Sequence, residues 1–331
     1  MSLPVLICDD SGFARKQLAR SLPTDWDVDI SFAANGIEAV AAIEAGKADI
    51  LFLDLNMPVM DGYQVLEIVR ARDLPTMVIV VSGDVQEQAR ARVQELGALD
   101  FIIKPVNPAV VEEILAQYGV LEELRGSTRQ VVDLEFDLNE GYQEVANVAM
   151  GQAAALLAKV LGVFVDLPIP RVDRIRKRDL PARVGTIAKS QPCSVVSQGF
   201  VGCSVSGEAL LLCSDAQFAD MAQMMAVEAE LSPALEVDLL MDVSNVLIGA
   251  CLAGFREQLD LSFSVGHPAV LARGSNLTDQ PLLQTDSEVE LLVIEIHYGI
   301  KEYGMNFHLL LMFTAESLVS LEERIGFLVE Q

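Results

Sequence analysis

Four continuous apolar runs, each followed by polar residues, dominate the hydrophobic pattern of the first 105 positions. The runs are Val5–Cys8, Ile50–Leu53, Met77–Val81 and Phe101–Ile103. Short continuous runs rich in β-branched residues are typical of parallel strands that are buried on both faces. Stretches of helical character alternate with them, at Gly12–Ser21, Ile37–Ala45, Tyr63–Arg72, Val85–Leu96 and Asn107–Tyr118. The alternation predicts a doubly wound α/β unit with a parallel sheet.

Polar residues follow each predicted strand at the point where it ends. They are Asp9 and Asp10 after the first run, Asp54 after the second, Ser82 after the third and Lys104 after the fourth. Parallel strands bring their carboxyl ends to one edge of the sheet, so these side chains are expected to meet there. Any one of them alone is more often a solvated loop or a cap. Together, and in this order, carboxylates, a hydroxyl and a lysine point to phosphate chemistry.

This set resembles the receiver domain of two-component response regulators, which implies a flavodoxin-like fold with a five-stranded parallel sheet. The resemblance makes Asp54 the phosphoacceptor. It implies that Mg²⁺ is held by Asp9, Asp10 and Asp54 together with the backbone carbonyl of Asn56, since hard oxygens are the ligands that Mg²⁺ prefers. A sensor histidine kinase is then the expected phosphodonor.

Three further residues are expected to respond to the phosphoryl group by the same resemblance. Lys104 is expected to pair with one phosphoryl oxygen, and the Ser82 hydroxyl to donate to another after phosphorylation. Phe101 is the aromatic residue that follows this movement in receiver domains. These are local electrostatic and packing changes, which is how a phosphorylation switch generally works.

The rest of the chain repeats itself. The pattern Asn147-Val148-x-x-Gly151 recurs as Asn245-Val246-x-x-Gly249, and three leucines starting at Leu210 recur at Leu309. The receiver domain is expected over residues 1–124 and a linker over 125–131. The repeat predicts that residues 132–331 form a duplicated domain. Its two pseudo-repeats are expected at about 132–230 and 231–331.

Each copy is predicted to contain a long helix, then strands, then a shorter helix. The first copy has Leu138–Leu161, Ser194–Val201, Glu208–Cys213 and Ala216–Met225 in that order. The second has Pro233–Gln258, Leu261–Leu271, Val289–His297, Phe307–Phe313 and Ala315–Ile325. Strands of both copies are expected to join one sheet with helices packed on it, which makes an α+β domain built from a tandem α-β repeat.

Each long helix carries an acid, an Asn three residues later and a Pro 23 residues beyond the Asn. The first set is Glu144, Asn147 and Pro170, and the second is Asp242, Asn245 and Pro268. An acid and an Asn at i and i+3 share one helix face. This spacing resembles the CheC/CheX/FliY phosphatase family of bacterial chemotaxis, whose signature is D/S-x3-E-x2-N-x22-P.

The family resemblance implies hydrolysis of aspartyl-phosphate on a chemotaxis-type receiver. The Asn amide, Asn147 or Asn245, would orient a water in line with the phosphoryl group, and the acid, Glu144 or Asp242, would pair with the lysine of the receiver. The second copy departs from the signature because Asp242 is one methylene shorter than Glu, about 1.5 Å of reach. The first site is therefore expected to dominate.

The identity of the target stays open between a separate receiver and the chain's own Asp54. Because the predicted linker is short, catalysis on another chain is the expectation. A different class of function is also open: the duplicated domain would be a non-catalytic module that binds partners in a phosphorylation-dependent way. The intact Glu144–Asn147 pair distinguishes the two, since binding alone does not require it. A homodimer is compatible with either function.

Charge and composition exclude other classes of function. The net charge is −25, and both parts of the chain carry an excess of acids. Such a chain does not suit nucleic acid. No uninterrupted apolar run reaches membrane-spanning length, and a cytoplasmic location without membrane contact is expected. The five cysteines lack metal or disulfide spacing and are expected to be buried thiols. Basic residues crowd a stretch expected to be a solvated loop or a steering patch: Arg171, Arg174, Arg176, Lys177, Arg178 and Arg183.

Overall fold

The computed structural model describes residues 2–23, 26–120, 137–188, 192–202, 204–275 and 287–330. The chain divides into two compact units, with Met1–Glu144 and Leu328–Gln331 in unit 1 and Val145–Phe327 in unit 2. The division falls inside a helix, Leu138–Leu161, so that the start of this helix, including Glu144, belongs to unit 1. The predicted linker at 125–131 lies outside the described residues.

Unit 1 contains a five-stranded parallel sheet in the order β2-β1-β3-β4-β5. The strands are β1 (Leu3–Cys8), β2 (Val28–Ala33), β3 (Ile50–Leu53), β4 (Met77–Ser82) and β5 (Asp100–Ile103). The helices are α1 (Gly12–Ser21), α2 (Gly36–Glu44), α3 (Gly62–Ala71), α4 (Glu87–Glu95) and α5 (Pro108–Gln117), followed by the start of α6 (Leu138–Leu161). The predicted fold class is confirmed.

Two hydrophobic cores cover the two faces of this sheet. Leu6 points to the core that contains Val65 of α3 and residues of α2 and α4. Its neighbour Ile7 points to the other core, which contains Leu18 of α1 and Val111 of α5. Alternate strand residues serve opposite faces, so both sets must be apolar, and the strands read as continuous apolar runs. Burial on both faces fixes the sheet and therefore the edge at which its polar residues meet.

Unit 2 is built on one antiparallel sheet in the order β10-β7-β8-β12-β11-β6, with β9 paired to β7. The strands are β6 (Arg171–Arg176), β7 (Cys193–Gly202), β8 (Ser206–Ser214), β9 (Phe263–Val265), β10 (Ala269–Ser275), β11 (Glu290–Ile300) and β12 (Met305–Thr314). The helices after α6 are α7 (Leu180–Ala188), α8 (Phe218–Met224), α9 (Pro233–Gln258) and α10 (Ala315–Glu330). Strands of both sequence copies share the sheet, as predicted.

The two sequence copies meet at the centre of unit 2. The repeated leucines lie on adjacent antiparallel strands, with Leu210 opposite Leu310 and Leu211 opposite Leu309. The two long helices also approach closely: a Cβ placed on Gly254 of α9 would lie 2.9 Å from Cα of Ala149 in α6. Corresponding strands and helices of the two copies therefore contact each other.

Two expectations for unit 2 are corrected. The stretch Leu261–Leu271, expected to be one strand, forms the two strands β9 and β10. The basic stretch expected to be a loop forms the edge strand β6 and part of α7. Four of its six cations form ion pairs within unit 2; Arg183, for example, lies 2.8 Å from Asp173 and 2.7 Å from Glu295. Basic residues can occupy an exposed edge strand when acids lie beside them. The sequence pattern alone did not indicate these ion pairs.

The apolar character of the long helices and the cysteines reflects burial in the core. By length and composition alone, α6 and α9 are long and apolar enough to cross a membrane. The most apolar 18-residue window of α6 is 72% buried in this fold, and that of α9 is 50% buried. Core helices of soluble proteins pass the same test. Cys8, Cys193, Cys213 and Cys251 are free, buried thiols. Cys203 lies outside the described residues.

Candidate functional site

The carboxyl edge of the unit 1 sheet gathers three carboxylates. Asp9 and Asp10 follow β1, and Asp54 follows β3, its neighbour in the sheet. One oxygen from each of the three lies within 4.8 Å of the others. Asp54 is only 2% exposed. The sequence prediction that these residues converge is therefore met in the geometry.

Lys104 is the cation at the centre of this cluster and is 4% exposed. Its Nζ donates to Asp9 Oδ2 at 2.7 Å and lies 3.1 Å from Asp54 Oδ1. A third carboxylate reaches it as well: Oε1 of Glu144, in the first turns of α6, lies 3.1 Å from Nζ. The positive charge of the buried ammonium is fully compensated by these three carboxylates. The carboxylates together carry more charge than the ammonium, so net negative charge remains.

The excess of negative charge shows in the pKa values. Burial, followed by repulsion from Asp9 and Asp54, raises the pKa of Asp10 to about 8. Burial also raises the pKa of Asp54 and of Glu144, although Lys104 opposes it in both. Burial lowers the pKa of Lys104, but the surrounding carboxylates outweigh it and hold that pKa well above its usual range. The pocket therefore favours an additional cation.

The donor set fits Mg²⁺. Three carboxylates converge within ligand-sharing distance, and oxygen ligands of this kind are those that the ion takes from proteins. The ion would also relieve the repulsion that raises the Asp10 pKa. When bound, it would neutralise charge on a phosphoryl group. Asn56, whose carbonyl is expected to complete the set, is held close by its own amide, which donates to Asp54 Oδ2 at 2.8 Å.

Of the two remaining receiver residues, Ser82 lies at this edge and Phe101 lies within β5, opposite Val80 of β4. Ser82, the last residue of β4, is fully buried, and its Oγ accepts from the amide of Asp84 at 3.1 Å. Phe101 on β5 is buried, and the Arg90 guanidinium lies 5.9 Å from its ring centroid. The hydroxyl is thus engaged with backbone in this state, and the aromatic side chain is packed inward.

Two features that shape the pocket were missed by sequence reasoning. Arg15 on α1 donates from Nη1 to the carbonyl oxygens of Asp9 at 2.6 Å and Asp10 at 3.2 Å, which holds the backbone of these two residues in place. Gly62 leaves room for the chain after β3, since a Cβ there would lie 2.3 Å from the Asp54 carbonyl oxygen. An arginine on an amphipathic helix and a glycine after a turn carry no signal specific enough to predict these contacts.

The two copies of the acid–Asn motif differ in exposure. Glu144 and Asn147 on α6 are 6% and 8% exposed, and Oδ1 of Asn147 is buried without a hydrogen-bond partner in the described structure. Asp242 and Asn245 occupy the equivalent places on α9, and both are exposed. Both pairs keep the i, i+3 relation on a continuous helix, so each presents an acid and an amide together.

Comparison with known proteins identifies the N-terminal part. Residues 5–116 match the response regulator receiver domain family, and this part of the chain is a receiver domain. The chain is 38% identical over 152 residues to protein-glutamate methylesterase/protein-glutamine glutaminase 3 of Geobacter sulfurreducens, covering 45% of this chain and 40% of that protein. It is 31% identical over 200 residues to protein-glutamate methylesterase/protein-glutamine glutaminase 1 of Myxococcus xanthus, covering 59% of this chain and 53% of that protein.

The aligned part of the chain thus spans about half or less of the length of these curated relatives. The chain is also similar in fold to the crystal structure of Thermotoga maritima FliY, with 19% identity and a TM-score of 0.45, covering 57% of this chain and 96% of that one.

Proposed function

We propose that this protein is a phosphorelay response regulator that accepts a phosphoryl group on Asp54 with Mg²⁺, and that its duplicated domain hydrolyses aspartyl-phosphate on a receiver. The phosphodonor of a receiver domain is a histidine kinase or a small phosphodonor. The observation that carries the hydrolytic part is the Glu144 carboxylate at 3.1 Å from Lys104 Nζ. The acid of the first motif is thus paired with the lysine that a receiver uses to hold its phosphoryl group.

Hydrolysis of an aspartyl-phosphate depends mainly on how the reacting groups are positioned. Hydrolysis needs a water in line with the phosphorus and compensation of charge on the phosphoryl oxygens. The amide of Asn147 has a buried oxygen with no hydrogen-bond partner in the described structure, and such an atom can hold a water. Lys104 supplies positive charge for this compensation, and Mg²⁺ held by Asp9, Asp10 and Asp54 would supply the rest. A module that only bound receivers would have no use for a buried, unpartnered amide.

The names of the curated relatives favour a second candidate, hydrolysis of methyl-glutamate or glutamine side chains. That reaction is an acyl transfer, for which an activated nucleophile and a base are needed. A histidine is the usual base in such reactions. His297, on β11, has a different environment: its ring stacks on His308 with centroids 4.5 Å apart, and its Nε2 lies 2.9 Å from Asn306 Oδ1. The acid–Asn pairs make the phosphatase the better-supported hydrolase.

The test can be run while the target receiver is still unidentified. The full-length protein is labelled with radioactive phosphate on Asp54, and a set of separate phosphorylated chemotaxis-type receivers is prepared in parallel. Phosphate release from each is measured with the wild-type chain and with the Asn147→Ala, Asn245→Ala double variant. We expect the wild-type chain to accelerate release from at least one receiver and the double variant to lose that acceleration.

Equal rates with both proteins on every receiver would contradict the phosphatase function and leave the binding module. Release of methanol from methylated receptor peptides, measured in the same samples, would instead support the second candidate.

A further inference from the structure

Helix α6 contacts the pocket around Asp54 through two successive turns. Besides the Glu144–Lys104 ion pair, Glu140 one turn earlier lies against the start of α1, where a Cβ on Gly12 would be 2.6 Å from its Oε2. Gly12 lies two residues after Asp10 in the sequence. Two acids at i and i+4 on one helix face thus meet one receiver surface, within unit 1 of the same chain.

The Glu144 carboxylate is one side chain away from the phosphoacceptor. Lys104 Nζ lies 3.1 Å from Glu144 Oε1 and 3.1 Å from Asp54 Oδ1, so the two carboxylate oxygens are no farther apart than these two distances together. Both carboxylates are almost completely shielded from solvent. A second receiver would have to displace Lys104 from Glu144 before it offered its own lysine to this acid.

Asn147 lies on the same helix face as Glu144, about 4.5 Å further along the helix axis. Its amide oxygen is buried and has no hydrogen-bond partner in the described part of the chain. Burying a polar atom without a hydrogen bond is unfavourable, so a water bound there is favoured. The motif that engages Lys104 through its acid therefore also carries the group that would position a nucleophilic water.

We infer that the substrate of the first acid–Asn motif is the phosphorylated Asp54 of its own chain, which makes the protein a self-terminating regulator. This inference rests on the proposed phosphatase function. The oxygen of water forms a bond to phosphorus while the bond between phosphorus and the Asp54 oxygen breaks. Asp54 leaves as a carboxylate with the electron pair, and both hydrogens of the water leave on the released phosphate as H₂PO₄⁻, which then equilibrates with solvent.

Hydrolysis within one chain differs from the sequence-based expectation of catalysis on another chain. That expectation rested on a short linker, which lies outside the described residues, whereas the contacts of Glu144 and Glu140 are with the chain's own receiver surface. Because Asp54 and the acid–Asn motif belong to one chain, their reaction is intramolecular and their effective concentration is fixed by the chain. The rate of hydrolysis should therefore be independent of protein concentration.

The experiment follows phospho-Asp54 in full-length protein after the phosphodonor has been removed. The half-life is measured over a hundredfold range of protein concentration for the wild type, for Glu144→Gln and for Glu113→Gln. The last is a control that removes a charge of the same sign from an exposed position on α5. We expect the wild-type half-life to be constant across the range and Glu144→Gln to lengthen it about tenfold or more, with the control unchanged.

A mixing arm separates failure of this inference from failure of the proposed function. Unlabelled Asp54→Asn protein is added in excess to labelled Glu144→Gln protein. If the addition restores fast release, or if the wild-type rate rises with concentration, hydrolysis occurs between chains and the inference is wrong while the phosphatase function stands. If the wild type decays no faster than the Asn147→Ala, Asn245→Ala double variant, the inference is wrong. The phosphatase function fails with it only if the wild-type chain also leaves every separate phospho-receiver unhydrolysed.

Discussion

The two copies of the acid–Asn motif have the same spacing and opposite surroundings. In the first, Glu144 and Asn147 are buried and the acid is paired with Lys104. In the second, Asp242 and Asn245 face outward on α9. Duplication preserved the i, i+3 geometry that puts an acid and an amide on one helix face, but burial decides what each pair can reach. A repeated motif is thus evidence for shared chemistry and not for a shared partner.

The largest expected effect concerns the acceptor Asp54, on which hydrolysis within the chain depends. Asp54→Asn should abolish phosphorylation by acetyl phosphate, because an amide cannot act as the carboxylate nucleophile. Omission of Mg²⁺ should have nearly the same effect, since the repulsion among Asp9, Asp10 and Asp54 would remain uncompensated. Phosphoryl transfer is measured by intact-protein mass spectrometry under stabilising conditions. Asp49→Asn, at an exposed site before β3, is the control and should be phosphorylated normally.

Persistent phosphorylation of Asp54→Asn would show that another residue is the acceptor. The site assignment would then fail, although the fold would stand.

The next effect separates the two copies directly. Asn147→Ala should slow the release of phosphate from the chain's own Asp54 about a hundredfold, because a mispositioned water costs that much in comparable sites. Asn245→Ala should cost much less, since Asn245 lies on an exposed face of α9. Both rates are measured in single-turnover experiments with matched protein concentrations. Equal losses in the two variants would remove the distinction between the copies.

The joint between the motif helices gives a stability effect. A methyl group on Gly254 would lie 2.9 Å from both Cα and Cβ of Ala149, so Gly254→Ala should lower the free energy of unfolding by about 1–3 kcal/mol. A Cβ placed on Gly249 of the same helix would have no atom of the described residues within 4 Å, and Gly249→Ala should stabilise slightly, by about 0.5–1 kcal/mol. Urea unfolding of the two variants checks the opposite signs. Destabilisation of both would point to helix α9 in general and not to its contact with α6.

The sequence predicts more of the fold than of the site's environment. The bounds of α6 and α9 follow directly from apolar periodicity and capping, because Ser232 caps α9 and Pro233 opens it. Strand β2 escapes the search for continuous apolar runs, since it lies at the sheet edge and alternates Val28-Asp29-Ile30. Burial of a motif is a tertiary property: nothing in the spacing of Glu144 and Asp242 distinguishes an acid that meets Lys104 from one that meets solvent.

The smallest expected effect tests whether the second copy is limited by its acid as well as by its exposure. Asp242→Glu restores the longer side chain of the family signature and adds about 1.5 Å of reach. In an Asn147→Ala background, where the first motif is inactive, this change should raise phosphate release from an added phospho-receiver about fivefold, because reach toward a lysine is the one element the second copy lacks. The matched control is Asp238→Glu, one turn earlier on the same exposed face. If both substitutions leave the rate unchanged, the length of the acid does not limit the second copy; an equal increase from both would mean that added reach anywhere on this face strengthens docking. Only a gain confined to position 242 would establish that the outward-facing copy retains the chemistry and differs from the buried one in its partner.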